Sequence, residues 1–261
     1  MNMEVGNIIR HSDRDFPGRQ AAVLFLIGCN FRCPYCAFGS LIDGRGLARI
    51  WSEAQVFQFL ESARERLDGV VFSGGEPTLH PGLSNWIRRA RDLGYAIKLD
   101  TNGSQPDVLR QLIVEGLVDY IAMDVKAPLE NYSQLCGRKI DTEAIRSSVW
   151  VIKQSGVAHE FRTTVIPGMH TVRELKMIAD LVHGADLYAV QDFVSKHTLR
   201  PDLRNRLAFP DKPLNDMRGY VLRRVERFEV RHDKEARPMP AFGRRRSSAR
   251  SVETANTNFL A

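Results

Sequence analysis

Residues 21–36 read Ala-Ala-Val-Leu-Phe-Leu-Ile-Gly-Cys-Asn-Phe-Arg-Cys-Pro-Tyr-Cys. The first seven are apolar and rich in branched and aromatic side chains, which predicts a short strand covered on both faces, Ala21 to Ile27. Gly28 ends the run, and three thiols follow at once: Cys29, Cys33 and Cys36. Pro34 pushes Cys33 out of the helical region, so the thiols sit in a loop and not on one face of a helix. Functional groups collected at the carboxyl end of a buried strand are the layout of an α/β fold.

Five further apolar runs repeat the pattern: Val70 to Ser73, Ala96 to Thr101, Tyr120 to Lys126, His159 to Ile166 and Leu187 to Val194. Between them lie segments of helical period. Val56, Leu60, Ala63 and Leu67 follow a possible capping box of Ser52 with Gln55, and Val172, Leu175, Ala179 and Val182 follow one of Thr171 with Glu174. Gly94, Gly116, Gly156 and Gly184 stand where helices should end, and Pro81 and Pro106 where helices should begin. Repeated strand–helix units predict right-handed crossovers and a parallel sheet. The chain is too short for eight full units plus a separate domain, so the expected fold is a partial (β/α)6 barrel of parallel strands, similar to part of a TIM barrel. A last helix and strand are expected between Leu214 and Arg231, with Phe228 and Val230 in the strand.

At 261 residues, 43% hydrophobic and 26% charged, the chain has the composition of a globular protein with a substantial core. Its net charge of +6 is unevenly placed. Residues 237–261 hold five arginines against one glutamate, leaving the body, residues 1–236, at only +2. One folded domain over 1–236 and a basic, disordered tail over 237–261 are expected, and nucleic acid is not an expected partner. No apolar run approaches the length of a membrane helix, and Met1 to Asn7 lack the character of a secretory signal. A cytoplasmic location and unpaired thiols are therefore expected.

Three thiols in one loop point to a bound metal or cluster. A structural zinc would need a fourth ligand from far away, such as Cys136, His80 or His11. A 4Fe-4S cluster on three thiolates would leave one iron open to a substrate or cofactor. Spacing favours the cluster and leaves zinc standing as the alternative. Read by itself, Cys136 is a small core or loop residue.

The Cys29-x3-Cys33-x2-Cys36 loop, with Tyr35 before the third cysteine, resembles the signature of the radical S-adenosylmethionine (SAM) superfamily. Phe72-Ser-Gly-Gly-Glu-Pro77 resembles its glycine-glutamate-proline motif, and Leu99-Asp-Thr-Asn-Gly103 and Met123-Asp-Val-Lys126 fall at the next strand ends. With Phe16 to Ala22 and Glu160 to Gly168, these resemble the activating enzymes of glycyl-radical proteins, above all the anaerobic ribonucleoside-triphosphate reductase activating type. One departure stands out. Ala37-Phe38-Gly39 replaces the histidine-asparagine-proline-like stretch common in that type.

The resemblance implies a 4Fe-4S cluster on Cys29, Cys33 and Cys36 whose open iron chelates SAM, and reductive cleavage to methionine and a 5′-deoxyadenosyl radical. It implies SAM contacts from Tyr35, Ala37, Gly74, Gly75, Glu76, Asp100, Asp124, Val125, Lys126, Arg162 and Gln191. Glu76 would sit beside the methionine ammonium, and Lys126 or Arg162 beside its carboxylate. The partners implied are a glycyl-radical enzyme as protein substrate and a flavodoxin or ferredoxin as electron donor. Two other readings stand beside this one: a radical SAM enzyme acting on a small molecule or peptide, such as a cofactor or modified-nucleoside precursor, and a non-enzymatic zinc or iron-sulfur module.

Overall fold

In the computed structural model, which describes residues 3–193 and 198–232, the chain forms one eight-stranded sheet in simple sequence order. The arginine-rich segment 237–261 lies outside the described residues. Strand β1 (Val5–Ser12) is antiparallel to β2 (Ala21–Leu26). From β2 onward every neighbour is parallel: β3 (Gly69–Gly74), β4 (Ala96–Thr101), β5 (Tyr120–Asp124), β6 (Ala158–Val165), β7 (Leu187–Asp192) and β8 (Arg227–Arg231). β1 and β8 do not pair among the described residues, so the sheet is an open, partial barrel. The six predicted strands are β2 to β7, and the expected last strand adds β8 as a seventh parallel member.

β1 was not anticipated, for a physical reason. Its residues, Val-Gly-Asn-Ile-Ile-Arg-His-Ser, run from buried to exposed, and two register shifts against β2 break the period-two pattern. β2 is buried at all six positions, as its unbroken apolar run requires.

Helices α1 (Glu53–Ala63), α2 (Leu83–Asp92), α3 (Pro106–Val114), α4 (Tyr132–Cys136), α5 (Thr142–Gln154), α6 (Val172–Leu181) and α7 (Asp211–Val221) connect the strands. Both predicted capping boxes form, Ser52 with Gln55 on α1 and Thr171 with Glu174 on α6. Pro106 opens α3 as expected, but Pro81 does not open a helix. α2 begins at Leu83 after Gly82, and it is Pro77 that starts the preceding 3-10 turn. The four glycines expected at helix ends all have positive φ. Among the described residues no helix is long and apolar enough to cross a membrane.

The sheet divides its side chains by parity. Leu24, Phe72, Leu99, Met123 and Phe161 pack outward into the helices in the main core. On the other face Val23, Phe25, Val71 and Ala122 meet Phe16 and Leu41 in a second, smaller cluster. Beyond β3 that inner face changes character. The register places Asp100 beside Ala122, Ala122 beside Glu160, and Asp124 beside Arg162, so a largely apolar concavity becomes a charged one.

Candidate active site

The cysteine loop leaves β2 at Gly28 and is held by its backbone. Gly28 N–H donates to Leu41 O (2.7 Å) and Cys29 N–H to Ile42 O (3.3 Å), while Cys36 N–H closes a turn onto Cys33 O (3.0 Å). The Arg32 guanidinium donates to Cys29 O (2.7 Å) and Phe31 O (2.8 Å), which fixes the turn between the first two thiols. All four cysteines of the chain are unpaired. Burial pushes the Cys29 thiol up to about 11 and raises Cys36 as well, whereas contact with the Cys136 thiol and the charge of Lys126 bring Cys33 down to about 7.

Cys136, which the sequence offers only as a distant fourth ligand for zinc and otherwise as a small core or loop residue, lies against this loop. It is fully buried, its carbonyl accepts from Arg32 N–H (2.9 Å), and its thiol touches that of Cys33. It ends α4, and Gly137 turns the chain there with φ of +65°. A Cβ at Gly137 would stand 2.3 Å from Arg32 O, so only glycine permits so close an approach. No spacing in the sequence announces a contact across a hundred residues.

The residues fit an iron-sulfur cluster by donor chemistry and by one orphaned group. Three thiols share one loop, and the hydroxyl of Tyr35 is buried against the Cys33 sulfur with no nitrogen or oxygen partner among the described residues. An electron-rich sulfur there would satisfy it. Tyr35 thus faces inward toward Cys33, Cys136 and Tyr132, while Ala37 lies half-buried in the turn after Cys36. Among the described residues no three side chains are drawn into a finished metal-ligating set.

Gly74 and Gly75 lie directly behind this loop. Gly75 N–H donates to Leu26 O (2.9 Å) and Glu76 N–H to Gly28 O (2.7 Å), stitching the two segments together. A Cβ on Gly75 would come within 2.0 Å of Gly28 O, and one on Gly74, at φ +111°, within 2.3 Å of Leu26 N. Gly75→Ala is therefore expected to destabilise the fold by about 1–3 kcal/mol through overpacking against rigid backbone. Gly219→Ala, inside α7 with its nearest neighbour at 4.0 Å, should instead stabilise by about 0.5–1 kcal/mol. Thermal melts of the two variants check the pair, and equal shifts would contradict it.

Glu76 is wholly buried. One oxygen accepts from Thr78 N–H (3.1 Å), Thr78 Oγ1 (2.5 Å) and Thr101 Oγ1 (2.7 Å), and the other from Asn102 N–H (2.6 Å). The carboxylate thereby locks the glycine turn to the end of β4. Burial raises its pKa against these four donors, since dipoles without a cation compensate desolvation only in part.

The charged inner face forms one network. Lys98 Nζ binds Asp100 (2.6 Å), which also accepts from Ser73 Oγ (2.8 Å). Arg162 joins Asp124 (2.8 Å), Asp100 (3.5 Å) and Glu160 (3.8 Å); Lys126 binds the other oxygen of Asp124 (2.8 Å); Arg231 binds Glu160 (2.6 Å) and Glu229 (2.8 Å). Burial alone would push Asp100 and Asp124 up, but Arg162 with the two lysines holds both below the ordinary carboxylate range. The structure thus brings Asp100, Asp124, Lys126 and Arg162 together, and Lys126 extends the network toward Cys33 and Cys36. Gln191 lies one step along, donating to Thr164 Oγ1 (2.9 Å), and Val125 is buried with its carbonyl held by Thr163.

Lys98, Ser73, Glu160, Glu229 and Arg231 were not singled out from the sequence, although a signal existed. Lys98-Leu-Asp100, Asp124-Val-Lys126, Glu160-Phe-Arg162 and Glu229-Val-Arg231 each put opposite charges two residues apart around an apolar one. In a strand that spacing puts both charges on one face.

The profile of the Radical SAM superfamily matches residues 23–182, the span from β2 through α6. The chain belongs to the radical SAM superfamily. That family implies a 4Fe-4S cluster and SAM. A protein of Methanocaldococcus jannaschii, provisionally named a glycyl-radical enzyme activating enzyme, is 36% identical over 203 residues, covering 75% of this chain and 82% of that one. A 7-carboxy-7-deazaguanine synthase of Methanopyrus kandleri is 26% identical over 179 residues, covering 59% of this chain and 70% of that one. Among solved structures, SuiB of Streptococcus suis bound to S-adenosylmethionine superposes with a TM-score of 0.60 at 13% identity. It covers 78% of this chain, which spans 48% of SuiB, and the likeness is one of fold.

Proposed function

We propose that this radical SAM chain activates a glycyl-radical enzyme, removing a hydrogen atom from a backbone glycine of a partner such as anaerobic ribonucleotide reductase. The observation that carries the reading is the relative of M. jannaschii, provisionally named for that activity and aligned over most of both chains. Cys29, Cys33 and Cys36 would hold the cluster. When bound, cluster and SAM supply a reductively generated 5′-deoxyadenosyl radical.

The chain's own residues have separate tasks in this reading. Gly74, Gly75 and Glu76 set the backbone behind the cysteine loop, leaving Lys126 and Arg162 as the cations for a SAM carboxylate and Asp100 and Asp124 as the anions that orient them. Tyr35 excludes water from the loop, and Ala37, Val125 and Gln191 complete the surround. A solvent-open cleft of about 680 Å³ between Asn30, Phe31, Ser104 and Arg138 gives a partner's loop room beside the cysteines. A flavodoxin or ferredoxin would supply the electron, and a cytoplasmic body over residues 1–236 with a basic tail completes the proposal.

The test is anaerobic reconstitution with iron and sulfide, addition of reductant and SAM, and measurement of 5′-deoxyadenosine, followed by electron paramagnetic resonance with a purified glycyl-radical enzyme. The expected result is product formation and a glycine-centred signal on the partner. Product formation with no such signal on any glycyl-radical enzyme of the same organism would overturn the activase reading. A second reading, action on a small molecule, has its own support in the polar groups beyond the proposed SAM contacts, Glu160, Thr164 and Arg231 on the inner face. The M. kandleri relative is named for chemistry of that kind.

A further inference from the structure

We propose that Cys33 and Cys136 are a disulfide site, closed by peroxide whenever the loop carries no cluster. The inference concerns the chain's own thiols and holds whichever substrate the enzyme takes. Cys33 sits in the cysteine loop and Cys136 at the end of α4, and their thiols are in contact. The backbones around them are already joined, by Arg32 N–H on Cys136 O (2.9 Å) and by the close seat of Gly137 over Arg32 O. A disulfide needs its two backbones close together, and the segment that carries Cys33 is hydrogen-bonded through its neighbour Arg32 to Cys136 itself. Neither partner is shared with a disulfide elsewhere, because all four cysteines are unpaired.

The chemistry balances with hydrogen peroxide as oxidant. The Cys33 sulfur attacks the O–O bond and becomes a sulfenic acid as one water leaves; the Cys136 sulfur then attacks that sulfur, forming the S–S bond and releasing the second water. Two thiols lose two electrons to one peroxide. The product stops Cys33 on the rung of the oxidation ladder that a thiol reductant reverses, short of the irreversible sulfinic acid. A cluster-forming cysteine is thereby kept usable for the next loading.

The full chain, stripped of iron, is treated with peroxide, alkylated, digested with trypsin and analysed by tandem mass spectrometry. The expected result is a cross-link between the peptides 33–45 and 127–138, with fragmentation placing it on Cys33, and with Cys29 and Cys36 alkylated. Iron and sulfide loaded before peroxide should suppress the cross-link severalfold. A Cys136→Ser variant, which keeps a small hydrogen-bond donor, should carry sulfinic or sulfonic acid on Cys33 after the same treatment. It should then regain severalfold less iron than the wild-type chain once reductant is added, and Cys136→Ala repeats the comparison. Cross-links confined to Cys29, Cys33 and Cys36, or Cys136 alkylated while Cys33 is oxidised, would overturn the proposal, as would equal recovery of iron by wild-type and both variants.

Discussion

Arg162→Leu is expected to lower the melting midpoint by roughly 10 °C, the largest stability loss of any single exchange on the inner face. Arg162 is the cation shared by Asp100, Asp124 and Glu160, and its side chain is only 15% exposed. Removing one partner of a buried ion pair costs about 3–5 kcal/mol, because the remaining charges stay desolvated. Each kcal/mol moves the midpoint of a domain this size by about 2–4 °C. Lys98 still binds Asp100 and Lys126 still binds Asp124, which keeps the loss toward the lower part of that range. Arg162→Lys should recover part of it, since the charge returns without the fork that spans two carboxylates.

The pH dependence follows from the same groups. Asp124 and Asp100 have folded pKa values below their unfolded ones, so their contribution is fully present above the unfolded value of about 3.9 and is lost as pH falls toward the folded value. In Arg162→Leu that depression is largely gone, and protonating the stranded carboxylates relieves the variant. The gap between wild-type and variant midpoints should therefore narrow from pH 7 to pH 4. Thermal scans across that interval measure it, and a gap that widens on acidification would contradict the assignment.

The parallel core was readable because burial on both faces writes strands as unbroken apolar runs, and β2 to β7 are such runs. Helix starts were readable where a side chain caps a backbone donor, as Ser52 and Thr171 do. β1 was not, because an edge strand with register shifts has no period to detect. The site divides the same way. Three thiols in one loop announce themselves by spacing, and so do the alternating charges of β4, β6 and β8 and of the chain leaving β5. What spacing cannot convey is which distant segments topology brings together. Glu76 reads as a free anion beside two glycines, yet Thr101 and Asn102, from the end of β4, enclose it. Cys136 reads as an isolated thiol, yet α4 delivers it to Cys33. Both facts depend on where neighbouring strand ends sit in the sheet.

Serine at Cys29, Cys33 or Cys36, one at a time, is expected to cut 5′-deoxyadenosine formation by at least about a thousandfold while leaving the fold in place. The expected loss is that large because the cofactor, not a side chain, carries the hard chemistry, and a rate enhancement of many powers of ten goes with it. A serine hydroxyl does not ionise near neutral pH and so cannot replace a thiolate ligand. The structural cost is small by comparison. Cys29 and Cys36 are partly exposed, and a buried hydroxyl at Cys33 still has Cys136 beside it, so each change should cost about 1 kcal/mol or less. Iron content, the visible charge-transfer band of the reconstituted chain and a melting curve separate the two effects. Loss of iron with an unchanged melt is the expected combination at all three positions. If one variant keeps its iron and its product, that cysteine leaves the ligand set. Cys136 would then become the only remaining thiol able to complete three, because its sulfur already touches that of Cys33.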